Sequence, residues 1–190
     1  MRQDGGGISP RASAAHPAHR DLFTNFANMI TPKEILDLLK STESYRVERT
    51  TSTGNMDKFC EAICAFSNDM PGSRKNGYLI IGASDDGSIA GMRVDDALLK
   101  KIAGIRSDGN ILPLPTMSVE RFPFPEGDLL VAEVRPSDLP PVRYRSRTFI
   151  RVGPRRDIAT EAEERILAER RCSFMATFDA SPCLNARIDD

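Results

Sequence analysis

The sequence predicts an α+β fold: one domain with a mixed, mostly antiparallel sheet flanked by helices. Three observations predict it. Segments with helical apolar spacing alternate with short extended ones instead of forming a strict βαβ repeat. One continuous apolar run, Gly77–Ala83 (GYLIIGA), reads as a central strand covered on both faces. Two further extended segments, 116–122 and 128–135, are joined by the Pro- and Gly-containing turn PFPEG, which suits antiparallel neighbours.

The elements follow in order. Residues 31–41 (TPKEILDLLKS) carry a helix start: Thr31 can cap, Pro32 fits the first helical position, and Glu34 completes a capping box. Residues 44–51 alternate and read as a strand. Residues 55–69 place Met56, Phe59, Cys60, Ile63, Cys64 and Phe66 at helical spacing and form the most apolar helix. Met70–Asn76 is a loop, and Asp85-Asp86-Gly87 is a turn with Ser88–Met92 returning as a short strand. Residues 95–106 form a second amphipathic helix, 142–152 a further hairpin, and Thr160–Arg171 a helix opened by a second capping box, Thr160 with Glu163. The domain is expected to span 30–171. Residues 1–29, with a Gly/Ala/Ser/Pro-rich start, are expected to be a disordered leader, and 172–190 an irregular C-terminal tail, the chain being a fragment or a shortened relative of a longer protein.

Composition narrows the chemistry. In 190 residues, 26 Lys+Arg nearly cancel 27 Asp+Glu, which excludes a uniformly basic protein and an acidic disordered one. There is no Trp, and the two histidines, His16 and His19, both lie in the leader. The folded part is therefore expected to work without His, which removes Ser-His-Asp and Cys-His catalysis and His-ligated zinc. Four cysteines (Cys60, Cys64, Cys172, Cys183), no secretory signal and no membrane-length apolar run point to a cytoplasmic protein with free thiols. Cys60 and Cys64 read as small core residues of one helix face, with half a zinc site as the alternative.

Four fragments, in order, resemble the Schlafen AlbA-type domain family: Glu43-x4-Glu48 (ESYRVERT); Ala62–Asn68 (AICAFSN), similar to an "AFAN" helix end; Gly77–Gly87 (GYLIIGASDDG) with Gly91 closing the return; and Phe149–Gly153 (FIRVG), similar to a "YIRVG" strand. Thr50 stands where the family usually has Lys, and its tight Gly-Gly turn is expanded here to Asn68–Gly77. The resemblance implies a DNA- or RNA-binding module of a bacterial regulator or defence-type protein. In some relatives, mainly the animal Schlafen proteins, three carboxylates form a metal-dependent RNA-cleaving site. By resemblance these map to Glu43, Glu48 and Asp86, a hypothetical catalytic and Mg²⁺- or Mn²⁺-binding set. Such a metal would supply hydroxide and charge stabilisation without His. The plainer alternative is ordinary turn chemistry for Asp85-Asp86-Gly87, with Glu48 paired to Arg46 or Arg49.

Charge is segregated along the chain. Residues 131–157 hold seven arginines against Glu133, Asp138 and Asp157, a local net of +4, whereas 158–190 hold four against seven acids. Arg143, Arg145, Arg147, Arg151, Arg155 and Arg156 are the candidate phosphate contacts, with Arg74 and Lys75 of the 72–77 loop as additions. In a continuous strand Arg143, Arg145, Arg147 and Arg151 would share one face; a turn near Ser146-Arg147 would break that register. The bland alternative is a solvated edge strand protected by charge. Nucleotide binding finds little support: Gly72–Gly77 has G-x4-G spacing, but Tyr78 follows where a phosphate loop needs Lys-Ser/Thr. An oligomerisation module, with a homo-oligomer as the assembly, completes the alternatives.

Overall fold

The computed structural model describes residues 30–41 and 44–179. The expected leader, Glu43 and Cys183 lie outside the described residues. In chain order the elements are α1 (Pro32–Lys40), β1 (Val47–Thr50), α2 (Met56–Asn68), β2 (Gly77–Ile81), α3 (Asp96–Gly104), β3 (Ile111–Leu112), β4 (Met117–Phe124), β5 (Gly127–Val134), β6 (Arg143–Tyr144), β7 (Phe149–Val152), β8 (Arg155–Ile158) and α4 (Glu161–Asp179). The main sheet has the order β1-β2-β5-β4. β1 runs parallel to β2, and the other pairs are antiparallel. Two small ribbons, β3–β6 and β7–β8, stand beside it. The fold is therefore α+β with a mixed, mostly antiparallel sheet, as expected.

The sheet carries a core on each face. Leu79 and Ile81 of β2, with Leu130, Ala132 and Val134 of β5, face α2 and α3. Tyr78 and Ile80, with Val47, Leu129 and Val131, face α1 through Ile35 and Leu39. Strand alternation sends consecutive β2 side chains to opposite cores, so the apolar run needs no polar side. At Gly77 the α2 helix comes so close that an added Cβ would overlap the Phe66 ring. Gly87 has φ 85°, and a Cβ there would strike the carbonyl oxygen of Leu39 at the end of α1. That glycine seats the Asp85–Gly87 turn against α1.

Helix ends follow the sequence signals. Thr31 and Glu34 form the reciprocal capping box of α1, and Thr160 and Glu163 make the same contacts at α4. Asn55 caps α2 and Asp95 caps α3. Four details differ from expectation. The return after Gly87 is a single bridge, Ala83 to Ile89, and not a strand. β3 and β8, which partner β6 and β7, carry no periodic signal of their own. The 142–152 segment is not one hairpin: β6 pairs with β3 and β7 with β8, and only a single Tyr144–Arg147 bridge closes the turn between them. Helix α4 continues to Asp179, eight residues into the stretch expected to be irregular. α4 is tied down by buried Leu167 and by Arg170, whose guanidinium donates to the carbonyls of Asp69 (2.8 Å) and Met70 (2.6 Å) just after α2. Cys60 and Cys64 are buried core residues, and the Cys64 thiol donates to the carbonyl of Val142 (3.3 Å). No helix of the described residues is long and apolar enough to cross a membrane.

Candidate nucleic-acid interface

Asn68, at the end of α2, sets the position of the arginine-rich segment. Its side-chain amide donates to the carbonyls of Val142 (2.9 Å) and Phe149 (2.8 Å), while its oxygen accepts from the Val142 N–H (2.7 Å). One buried side chain thereby holds both arms of the 142–149 segment. Between those arms the chain reverses. Tyr144 and Arg147 exchange backbone hydrogen bonds (2.9 and 3.0 Å), leaving Arg145 and Ser146 as a two-residue turn with φ of 46° and 66°. Two consecutive positive φ values mark the hairpin turn that normally takes Asn-Gly or Asp-Gly. With side chains at both places the turn is strained, by roughly 1–2 kcal/mol per residue.

Local contacts offset that strain. The Arg145 N–H donates to the Asn110 carbonyl (3.0 Å). The Tyr144 hydroxyl donates to Asp57 (2.7 Å), and the Arg145 guanidinium reaches the same carboxylate oxygen (3.3 Å). That guanidinium also lies over the Tyr144 ring, 5.0 Å from its centroid. Burial and Asp57 push the Tyr144 phenol well above its ordinary value, so it remains a donor.

The six arginines divide into three kinds. Arg143, Arg145 and Arg147 surround the turn and are exposed; Arg143 pairs with Glu164 (3.1 Å), while the Arg147 side chain makes no ion pair among the described residues. Arg155, at the β7–β8 tip, is likewise exposed without an ion pair there. Arg151 and Arg156 are internal. Arg151, 3% exposed, bonds Glu48 (2.5 Å) and the carbonyls of Val47 (3.1 Å), Ser44 (3.2 Å) and Pro154 (2.5 Å). Arg156 bonds the other oxygen of Glu48 (2.7 Å) and Glu61 (3.1 Å). A single face of four arginines is therefore not formed, because the turn at 145–146 breaks the strand. Arg151 and Arg156 bind β1, α2 and the β7–β8 ribbon to one another. Arg74 and Lys75 sit in the loop after α2, where Asp69 accepts from the Ser73 hydroxyl (2.9 Å) and the Arg74 N–H (2.7 Å).

Of the carboxylate set, the two described members, Glu48 and Asp86, are not drawn together. Glu48 is held between Arg151 and Arg156, not by Arg46 or Arg49. Arg49 leaves β1 on the opposite face, donating to the carbonyls of Leu38, Ser41 and Asp85. Asp86 belongs to that side: it accepts from the Ser88 N–H (2.9 Å) and hydroxyl (2.7 Å), which lower its pKa with a smaller contribution from Arg49. Among the described residues no cluster of three His, Cys, Asp or Glu is placed to hold a metal. Glu43 lies outside them.

Sequence reasoning missed Asp57 and Glu164, the acids that meet the exposed arginines. Glu164 also accepts from the Thr148 hydroxyl (2.5 Å), which, with Arg143, lowers its pKa. Asp57 is 87 residues from Tyr144, and no local spacing reports that contact.

Among solved structures, the chain is similar to the DIP2311 protein of Corynebacterium diphtheriae (20% identity, 69% of this chain, TM-score 0.46) and to the N-terminal domain of a RecG-related protein of Nitrosomonas europaea (23% identity, 70% of this chain and 92% of that one, TM-score 0.47). It spans 29% of the first of these. No curated protein matches it. The family described as Schlafen, AlbA_2 matches residues 43–160, from the acidic approach to β1 through the arginine turn to the start of α4, and the chain belongs to that family.

Proposed function

We propose that the protein binds nucleic acid through its phosphates, using Arg143, Arg145 and Arg147 of the β6–β7 turn, with Arg155 at the neighbouring ribbon tip. The observation that supports this most is the turn itself. A strained two-residue reversal, anchored by Asn68, Tyr144 and Asn110, gathers three exposed arginines at the surface, Arg143 and Arg145 in water-accessible ion pairs and Arg147 without one among the described residues. Arginine suits phosphate because its planar fork can donate two hydrogen bonds to one anion. Binding of this kind positions a backbone and carries little sequence information. Arg151 and Arg156 are excluded from the contact set because Glu48 and Glu61 already satisfy them.

The test is fluorescence anisotropy with a labelled 20-base-pair DNA, the matching RNA duplex and the single strands, across a salt series. The Arg143→Ala/Arg145→Ala/Arg147→Ala variant is expected to bind at least tenfold more weakly. The slope of log affinity against log salt should flatten by up to about 3, near 0.9 per lost phosphate contact on B-DNA. Unchanged affinity in the triple variant, with circular dichroism showing an intact fold, would refute this assignment.

A further inference from the structure

We infer that Asp57 is an affinity-setting residue of the arginine turn, a resident anion that an incoming phosphate must displace from Arg145. The inference rests on the proposed phosphate-binding role of the turn and deepens it. Asp57 lies in the first turn of α2, just after the Asn55 cap. A single oxygen, Oδ1, accepts from the Tyr144 hydroxyl (2.7 Å) and meets the Arg145 guanidinium (3.3 Å). The Tyr144 contact is short and comes from a buried residue. The Arg145 contact is longer, and both of its side chains are open to water, at 60% and 59% exposure. The two bonds therefore differ in kind. The first fixes the carboxylate, and the second is an exposed ion pair of the sort that exchanges readily.

This arrangement has an electrostatic consequence. A guanidinium facing a carboxylate carries little net charge to attract a polyanion and releases few of the counterions condensed on the phosphates it meets. Arg147, with no such partner among the described residues, contributes its full charge. Removing the Asp57 charge while keeping an oxygen for Tyr144 should make Arg145 behave like Arg147. Asp57→Asn does this, because the amide oxygen can still accept the phenolic hydrogen.

The experiment compares wild type, D57N, R145A and D57N/R145A for binding to the labelled DNA duplex, and for the salt needed to elute each from immobilised heparin. D57N should bind about three- to fivefold more tightly, with a salt slope steeper by about 1, and elute later. The gain should vanish in the R145A background. Y144F, which removes the hydroxyl but leaves both charges, should keep the wild-type slope. If wild type binds the duplex and D57N shows the same affinity and slope, the displacement role is refuted while the phosphate-binding reading stands. A D57N gain that persists with R145A also refutes it, since Arg145 would not be the group released. If only D57N binds, the displacement role is supported. If neither protein binds duplex or heparin, both readings fall together.

Discussion

Glu48 offers the sharpest test of how the arginine segment is held. It sits between two guanidiniums: Arg151, whose side chain is 2% exposed, and Arg156, at 17%. Glu48→Ala would take the Glu48 carboxylate away from buried Arg151, which also donates to the carbonyls of Ser44, Val47 and Pro154. Removing one member of a buried pair costs about 3–5 kcal/mol. Glu48 retains 21% exposure, so water reaches one side of the pair and the lower end applies, about 3 kcal/mol. With a urea dependence of about 2 kcal/mol per molar, the unfolding midpoint should fall by about 1.5 M. Adding Arg151→Met removes the buried guanidinium that lost its Glu48 carboxylate and fills the space, so the double variant should be more stable than Glu48→Ala alone. Equilibrium urea unfolding followed by circular dichroism measures both. A midpoint shift below about 0.5 M for Glu48→Ala, or simple additivity of the two substitutions, would refute the buried-pair account. The same calculation bears on any cleavage assay at this position: lost activity in Glu48→Ala would first have to be separated from lost structure.

Two more predictions follow from buried groups. Asn68→Ala removes three buried hydrogen bonds to Val142 and Phe149, at about 1 kcal/mol each, so calorimetry should show a melting temperature lower by roughly 10 °C. Burial, with smaller charge effects, pushes the Cys60 thiol up to about 11 and the Cys64 thiol up to about 12. Alkylation at pH 8 followed by peptide mass spectrometry should therefore label exposed Cys172 quickly and leave Cys60 and Cys64 unmodified until urea unfolds the domain.

Much of this architecture was legible in the sequence where the signal is local. The two capping boxes fixed the starts of α1 and α4, and the run from Tyr78 to Ile81 marked a strand with a core on each side. What escaped was set by distant partners. Strands β3 and β8 exist because β6 and β7 need neighbours, and their own residues show no period. The Arg145-Ser146 turn has neither Gly nor Asn to announce it, so the sequence left open whether 143–151 makes one face or breaks near Ser146-Arg147, and the chain breaks at 145–146. Sequence also listed six arginines as equals. Only the folded molecule separates the two spent on Glu48 and Glu61 from the four at the surface. The carboxylate set rested on resemblance, and the strand alternation that puts Arg49 beside Asp85 turns Glu48 to the other side.

The attachment of α4 carries a lesson about where this unit can be cut. The region shared with the family ends at residue 160, yet the next ten residues supply Leu167 to the interior and Arg170 to the carbonyls that close α2. A piece trimmed to the family boundary would release the chain reversal after Asn68, while taking away the Glu164 partner of Arg143 and Thr148. The smallest self-sufficient unit therefore reaches at least to Arg170. The last helix acts as a fastening strap, so the family match and the contacts that hold the unit together end at different places.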